Sequence, residues 1–270
     1  MVRNVLAFAA AILCSGSVFA HDFTSADALY AHRGESQAAI DTARAAYESD
    51  LATLTGADYI YAIEQMTRLD YYVGSKLSDD GNEAARKVAY AKCMATVDKI
   101  QPGQNNVAPN PEYYYWKGSC LAQWAKANGI LQSLVRSGEL FDYLSKGEAI
   151  DPTYEGGGFW RVKGAVYAKL PAFNPFGPRR DMAQSKLLLE KAIESPAYTH
   201  TRNPDTENGH FHYNNHQYYA ETLIALGDRV KAKQVIQDAL DNIDAGYVSP
   251  LREPETAQTH ESLQKLLNGL

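Results

Sequence analysis

The segment from Tyr213 to Ile243 constrains the fold more than any other part of the chain, because its small residues recur at the spacing of a two-helix repeat. Ala220, the Gly227-Asp228 turn, Ala232 and Ala239 fall at the small-residue and turn positions of a tetratricopeptide repeat. The two helices of one such repeat cannot bury their apolar faces alone, so neighbouring pairs stack into a superhelix with a concave groove. The segment therefore predicts a packing unit suited to binding.

Helical patterning continues through the rest of the chain, and no alternating pattern of strands interrupts it. Turn-forming and small residues divide this part into hairpins at residues 23–52, 57–100 and 111–150 and a further hairpin that begins at Gly156. We predict an all-α fold, a tetratricopeptide-repeat α-solenoid of about four helical hairpins. It should form a single domain over residues 21–270.

Residues 1–20 have the layout of a cleaved secretory signal peptide. A basic Arg3 precedes an apolar run from Val5 to Leu13, and Ala20 provides a small residue at the expected cleavage site. We expect the mature chain to begin near His21 and to be periplasmic or secreted. No later apolar stretch is long enough to span a bilayer, so stable membrane insertion is not expected.

The net charge of the chain limits the classes of partner that it can bind. The formal net charge is −6 at pH 7. An acidic protein is repelled by the phosphates of nucleic acids and by anionic membrane surfaces. Nucleic acid is therefore not an expected partner.

Two cysteines remain beyond the signal segment, Cys93 and Cys120, and both lie in predicted helices of consecutive hairpins. In an oxidising compartment they could form a structural disulfide. They could equally be two buried free thiols, which pack as small hydrophobic side chains.

Aromatic residues supply the first candidate binding surface. Most should fill the interfaces between helices, but successive helical residues point in directions about 100° apart, so the run from Tyr113 to Trp116 cannot all face the core. A Pro-rich and aromatic insertion, Leu170 to Pro178, should form an ordered loop over one end of the groove. The candidate residues for a hydrophobic ligand or a protein partner are Tyr72, Tyr115, Trp116, Trp124, Trp160, Phe173 and Phe176.

Polar residues at groove-facing positions are the second candidate. In the last repeat these positions hold Asn214, Gln217 and Glu221, which could bind a peptide backbone or the polar end of a ligand. The alternative is an ordinary hydrated helix face. Arg161 could pair with a carboxylate, either of a ligand or of a neighbouring helix.

Four histidines cluster between His200 and His216. These four residues are His200, His210, His212 and His216, and their neutral imidazoles could bind Zn²⁺, Cu²⁺ or Ni²⁺. However, His216 occupies a repeat position that usually packs inward. A metal-handling protein is therefore the alternative function.

Motifs of catalysis and of cofactor binding do not occur in the sequence. It contains no Gly-x-Ser-x-Gly elbow, no His-Glu-x-x-His helix and no Cys-x-x-Cys pair, and Gly156-Gly157-Gly158 lacks the Lys-Ser/Thr of a phosphate loop. We expect a protein that is not an enzyme and that needs no cofactor.

The stretch from Asn128 to Pro178 carries a more specific resemblance. Its elements are Asn128-Gly129-Ile130, Ile150-Asp151-Pro152, Tyr154-Glu155-Gly156-Gly157-Gly158 and Leu170-Pro171. It resembles exported bacterial tetratricopeptide proteins related to the T component of some TRAP transporters, and more distantly the helical domain of eukaryotic regulators of microtubule dynamics. The resemblance implies a non-enzymatic periplasmic protein with a cleft for hydrophobic ligands and a partner solute-binding protein.

Overall fold

The computed structural model describes residues 21–79, 81–104, 106–195, 212–248 and 253–270. Within these ranges all regular secondary structure is helical and no strand occurs, so the predicted all-α fold is confirmed. The α-helices are α1 (Thr24–Ala31), α2 (Gln37–Glu48), α3 (Gly56–Asp79), α4 (Glu83–Val97), α5 (Pro111–Ala127), α6 (Ile130–Ile150), α7 (Tyr154–Lys169), α8 (Met182–Ile193), α9 (Asn214–Ala225), α10 (Arg229–Asp244) and α11 (Glu253–Asn268).

Local side-chain chemistry determines where many of these helices begin. A polar side chain at the N-cap accepts a hydrogen bond from a backbone N–H of the first turn, which would otherwise have no partner. The residues that do so are Ser36 for α2, Asn82 for α4, Asn110 for α5, Asp181 for α8 and Asp228 for α10. Pro111 follows its cap at the first helical position, where its fixed φ suits the helix.

Successive helices pack in pairs, as a solenoid of hairpins requires. The pairs are α1–α2, α3–α4, α5–α6, α7–α8 and α9–α10, and α11 follows as a single helix. The described residues therefore contain five hairpins and one further helix, where the sequence predicts about four hairpins. The predicted signal segment, residues 1–20, and the polar segment 196–209 lie outside the described residues.

Small residues allow the helices to approach closely. Ala220, Ala232 and Ala239 are fully buried, at the spacing that the sequence indicates. A Cβ at Gly147 would lie 2.3 Å from the Phe159 ring, so only glycine fits at this crossing of α6 and α7.

The solenoid closes on itself, because its last helix returns to the first hairpin. Arg33, which follows α1, is 0% exposed, and its guanidinium donates to both carboxylate oxygens of Glu255 on α11. The same guanidinium lies over the rings of Tyr30 and Tyr72, with its carbon 4.1 and 5.4 Å from the ring centroids. The contact between Arg33 and Glu255 joins residues 222 positions apart and brings the last helix against the first hairpin, on one side of the groove.

Among the described helices, none combines the length with the apolar character needed to cross a bilayer.

Candidate functional site

A cavity of about 720 Å³ lies inside the closed solenoid. The first helix of every hairpin contributes to its wall, as do the first three turns of α6, the last helix α11 and several loop residues. A volume of this size is within the range of sites that hold one small organic molecule. The cavity is therefore the main candidate site.

Four aromatic rings form one wall of the cavity. Tyr71, Tyr115, Trp116 and Tyr218 all line it. Trp116 meets two of the other rings edge to face, with centroids 5.5 Å from Tyr71 and 5.1 Å from Tyr115. Burial raises the pKa of the Tyr71 and Tyr218 hydroxyls, so both stay protonated and can donate hydrogen bonds.

Aliphatic side chains continue the apolar surface beside the rings. They come mainly from α5, α6 and α7 and include Ala122, Leu134, Val162, Ala165 and Val166. Much of the cavity wall can therefore bind a ligand only through apolar contacts.

A buried ion-pair network borders the cavity, and two of its members, Arg68 and Glu155, line the cavity wall. Arg68 on α3 donates to Glu64, at 2.8 Å, and to Glu155. Trp116 Nε1 donates to Glu64 Oε1 at 3.3 Å, and the Tyr154 hydroxyl also donates to Glu64. The single guanidinium offsets part of the cost of burying two carboxylates, and the neutral donors Trp116 and Tyr154 add hydrogen bonds to Glu64.

The tight turn formed by Glu155 and the glycines that follow it places the Glu155 carboxylate in this network. Glu155, Gly156 and Gly157 have φ values of 58°, 58° and 74°, all in the left-handed region, within the range of α7. Glycine takes this conformation at little cost, whereas Glu155 does so at a cost of about 1 kcal/mol. Asn215 holds the turn by donating to the carbonyl oxygens of Gly156 and Ala192. The motif therefore positions a buried carboxylate.

Arg161 is 2% exposed and bonds only to neutral acceptors. Its guanidinium donates to the Tyr115 hydroxyl at 2.6 Å, to Asn215 Oδ1 at 2.9 Å and to the Glu155 carbonyl oxygen at 3.0 Å. No carboxylate of the described residues forms an ion pair with it. Within the described part of the chain, no neighbouring carboxylate therefore neutralises its positive charge, which contributes to the electrostatic potential of the cavity that it lines.

The sequence-predicted residues divide into those that line the cavity and those that do not. Tyr115, Trp116, Arg161 and Asn214 line it. The others have different surroundings: Tyr72 is buried against Arg33, Trp124 lies beside Arg136, Trp160 donates to Glu148, Gln217 donates to Glu221, and Phe173 and Phe176 are exposed.

The insertion after α7 is an ordered loop. The Asn174 side-chain amide donates to Ser137 Oγ at 2.9 Å and to the Pro178 carbonyl oxygen at 2.7 Å. Pro171 and Arg180, near the two ends of the loop, line the cavity. The loop thus forms part of its rim, although its two phenylalanines face outward.

Sequence reasoning missed several cavity residues, above all Lys126 and Lys169. Each lies in the last turn of its helix, α5 and α7 respectively. A lysine in a last turn normally needs no further explanation, because it stabilises the helix dipole. The spacing could have revealed them: Ser119, Ala122 and Lys126, like Val162, Val166 and Lys169, share one helix face.

Metal binding by the histidine segment is only the alternative interpretation, and it stays a hypothesis. Among the residues that the structure describes, no group of three or more His, Cys, Asp or Glu side chains is placed to hold a metal ion. His212 lines the cavity, and His216 is buried with no hydrogen-bond partner for Nδ1. His200 and His210 lie outside the described residues.

We expect acid to destabilise the protein through His216. Burial lowers its pKa from about 6.5 to about 4, and the opposing effect of Asp238 is smaller. Between these values the unfolded chain binds a proton that the folded chain does not, so the free energy of unfolding falls as the pH falls, by about 3 kcal/mol in total. Urea unfolding at about pH 7 and about pH 4 should show that His216→Gln loses this part of the pH dependence.

The matched control for this prediction is His32→Gln, because His32 is exposed. That variant should keep the pH dependence of the unaltered protein. An unchanged pH dependence in His216→Gln would contradict the assignment.

Cys93 on α4 and Cys120 on α5 form a disulfide, with their Cα atoms 5.9 Å apart. The bond joins two consecutive hairpins. It lies next to the aromatic wall, since Ser119 and Leu121 beside it line the cavity.

Comparison with known proteins finds no family model and no curated relative that matches the chain. The resemblance between Asn128 and Pro178 therefore stays a prediction based on those residues.

Proposed function

We propose that the protein is a non-catalytic binding protein that holds one small, largely apolar molecule inside the closed solenoid. The observation that supports this proposal most directly is the cavity of about 720 Å³, which has an aromatic wall and aliphatic neighbours. An apolar pocket of this size gains binding energy from every apolar surface that it removes from water.

Native mass spectrometry of gently purified protein tests this function, with a second spectrum after extraction with organic solvent. We expect a discrete excess mass that extraction removes. Val166→Trp should abolish it, because the larger ring would occupy the cavity that Val166 lines. Val230→Trp is the matched control, since Val230 is 85% exposed and does not line the cavity. An unliganded mass in the unaltered protein, together with no uptake of added apolar compounds, would contradict the proposal.

A protein partner is the second part of the proposal, and a group of exposed apolar residues beside the cavity rim supports it. These residues lie on α6 or on the loop packed against it, and they are Ile130, Leu131, Val135, Phe173 and Phe176. Exposed apolar groups of this kind often mark protein contacts. The resemblance between Asn128 and Pro178 favours a solute-binding protein beside a TRAP-type transporter. The same native spectra test for such a complex, and a consistently monomeric mass would count against it.

A further inference from the structure

The charge of the cavity wall is opposite to that of the whole protein. The chain has a net charge of −6, yet the cavity is lined by seven basic side chains and by two carboxylates, Glu155 and Glu255. The basic residues are Arg33, Arg68, Lys126, Arg136, Arg161, Lys169 and Arg180.

Three of these basic residues have no ion-pair partner in the part of the chain that the structure describes. Arg33 pairs with Glu255, Arg68 with Glu155, and Arg136 with Glu139. Lys169 Nζ lies 3.6 Å from Glu221. The unpaired residues are Lys126, Arg161 and Arg180. The cavity therefore retains positive charge after its internal pairs are counted.

Two of the lysines lie at the same end of the cavity. Lys126 ends α5 and Lys169 ends α7, and both helices line the cavity along their length. Partial burial and the charges of Lys169 and Arg86 lower the pKa of Lys126, and the smaller effects of Glu83 and Glu221 oppose this. Both cations and carboxylates therefore lie near Lys126, and the cations have the larger effect. Lys169 Nζ also lies 5.3 Å from the centre of the Tyr218 ring, so this cation borders the aromatic wall.

Ser119 is an independent indication that a polar ligand group enters the cavity. Its side chain lines the cavity and is only 5% exposed, yet its hydroxyl has no hydrogen-bond partner among the described residues. A buried hydroxyl without a partner costs about 1–3 kcal/mol, a cost that a ligand acceptor would remove. Ser119 and Lys126 are seven positions apart on one face of α5, which corresponds to about 10 Å.

We propose that the bound molecule is an apolar organic anion whose acid group lies between Lys126 and Lys169. Its apolar body lies along Tyr71, Tyr218 and Val166, and a polar group at its other end accepts a hydrogen bond from the Ser119 hydroxyl. This inference rests on the proposed function, because it names the ligand class of the same cavity. An anion gains charge-assisted hydrogen bonds from lysines that border a low-dielectric space, whereas a cation would be repelled there. A neutral ligand would leave Lys126 without an ion-pair partner, while Lys169 would keep only the contact of 3.6 Å with Glu221.

Two fluorescent probes with the same ring skeleton test the charge preference directly. They are 1-anilinonaphthalene-8-sulfonate, an anion, and N-phenyl-1-naphthylamine, which lacks the sulfonate. We expect one site per chain for each and about tenfold tighter binding of the sulfonate, as one charge-assisted contact provides. The double variant Lys126→Gln/Lys169→Gln should remove most of this difference and leave the affinity for the amine unchanged.

The matched control is Lys146→Gln/Lys265→Gln, because both lysines are exposed, do not line the cavity and pair with a carboxylate on their own helix. It should bind both probes as the unaltered protein does.

Equal affinities for the two probes, or a Lys126/Lys169 variant that still prefers the sulfonate, would overturn the anion assignment. The proposed function would stand in that case, because the amine would still occupy one site. If neither probe bound, both proposals would fall together.

Discussion

Replacing Arg68 by methionine should lower the free energy of unfolding by about 3–5 kcal/mol. Arg68 is the only cation that pairs with both Glu64 and Glu155 among the described residues, and all three side chains are buried. Without it, two carboxylates in a low-dielectric interior would lose the cation that they share. The midpoint of urea unfolding, followed by circular dichroism, measures the effect.

The matched control is Arg136→Met. Arg136 also pairs with a glutamate, Glu139, and also lies near a tryptophan ring, Trp124. Both members of that ion pair are exposed, so its loss should cost less than about 1 kcal/mol. The assignment of Arg68 as the central charge of the network fails if the two variants lose similar stability.

Removing the disulfide should cost about 3–4 kcal/mol, the second large effect that we expect. The bond between Cys93 and Cys120 closes a segment of 27 residues, and it restricts the unfolded chain more than the folded one. Cys93→Ala/Cys120→Ala, compared with the unaltered protein by urea unfolding, measures this cost.

A reducing agent provides the internal control for the disulfide. It should destabilise the unaltered protein to about the level of the double variant and leave the double variant unchanged. A reductant effect of equal size in both proteins would show that the disulfide is not its target.

The fold was predictable because its signals are local. The spacing of Ala220, Ala232 and Ala239 reflects contacts between adjacent helices, and these residues are buried as that spacing requires. N-cap residues such as Asn110 and Asp181 mark helix starts within a few positions of sequence. Fold class therefore follows from periodicity.

The site was less predictable because its geometry depends on distant contacts. Nothing in local periodicity indicates that Arg33 meets Glu255, yet both residues line the cavity. Trp160 fits a repeat position, but its indole N–H donates to Glu148 and its ring does not line the cavity. Nothing in the sequence separates Tyr71 and Tyr218 from the other tyrosines. Only the curvature of the folded solenoid shows that these two line the cavity.

The return of α11 to Arg33 also has a consequence for the order of events during synthesis. Glu255, Thr256 and Thr259 line the cavity, and they belong to α11, which is synthesised after the other described helices. The hairpins from α1 to α10 can pack as each emerges, because their contacts are mostly between neighbours. The cavity wall, in contrast, is complete only when the last helix has folded back onto the first hairpin. A chain in which α11 has not yet folded therefore has an incomplete cavity wall, and the binding surface that α11 contributes forms after the hairpins have packed.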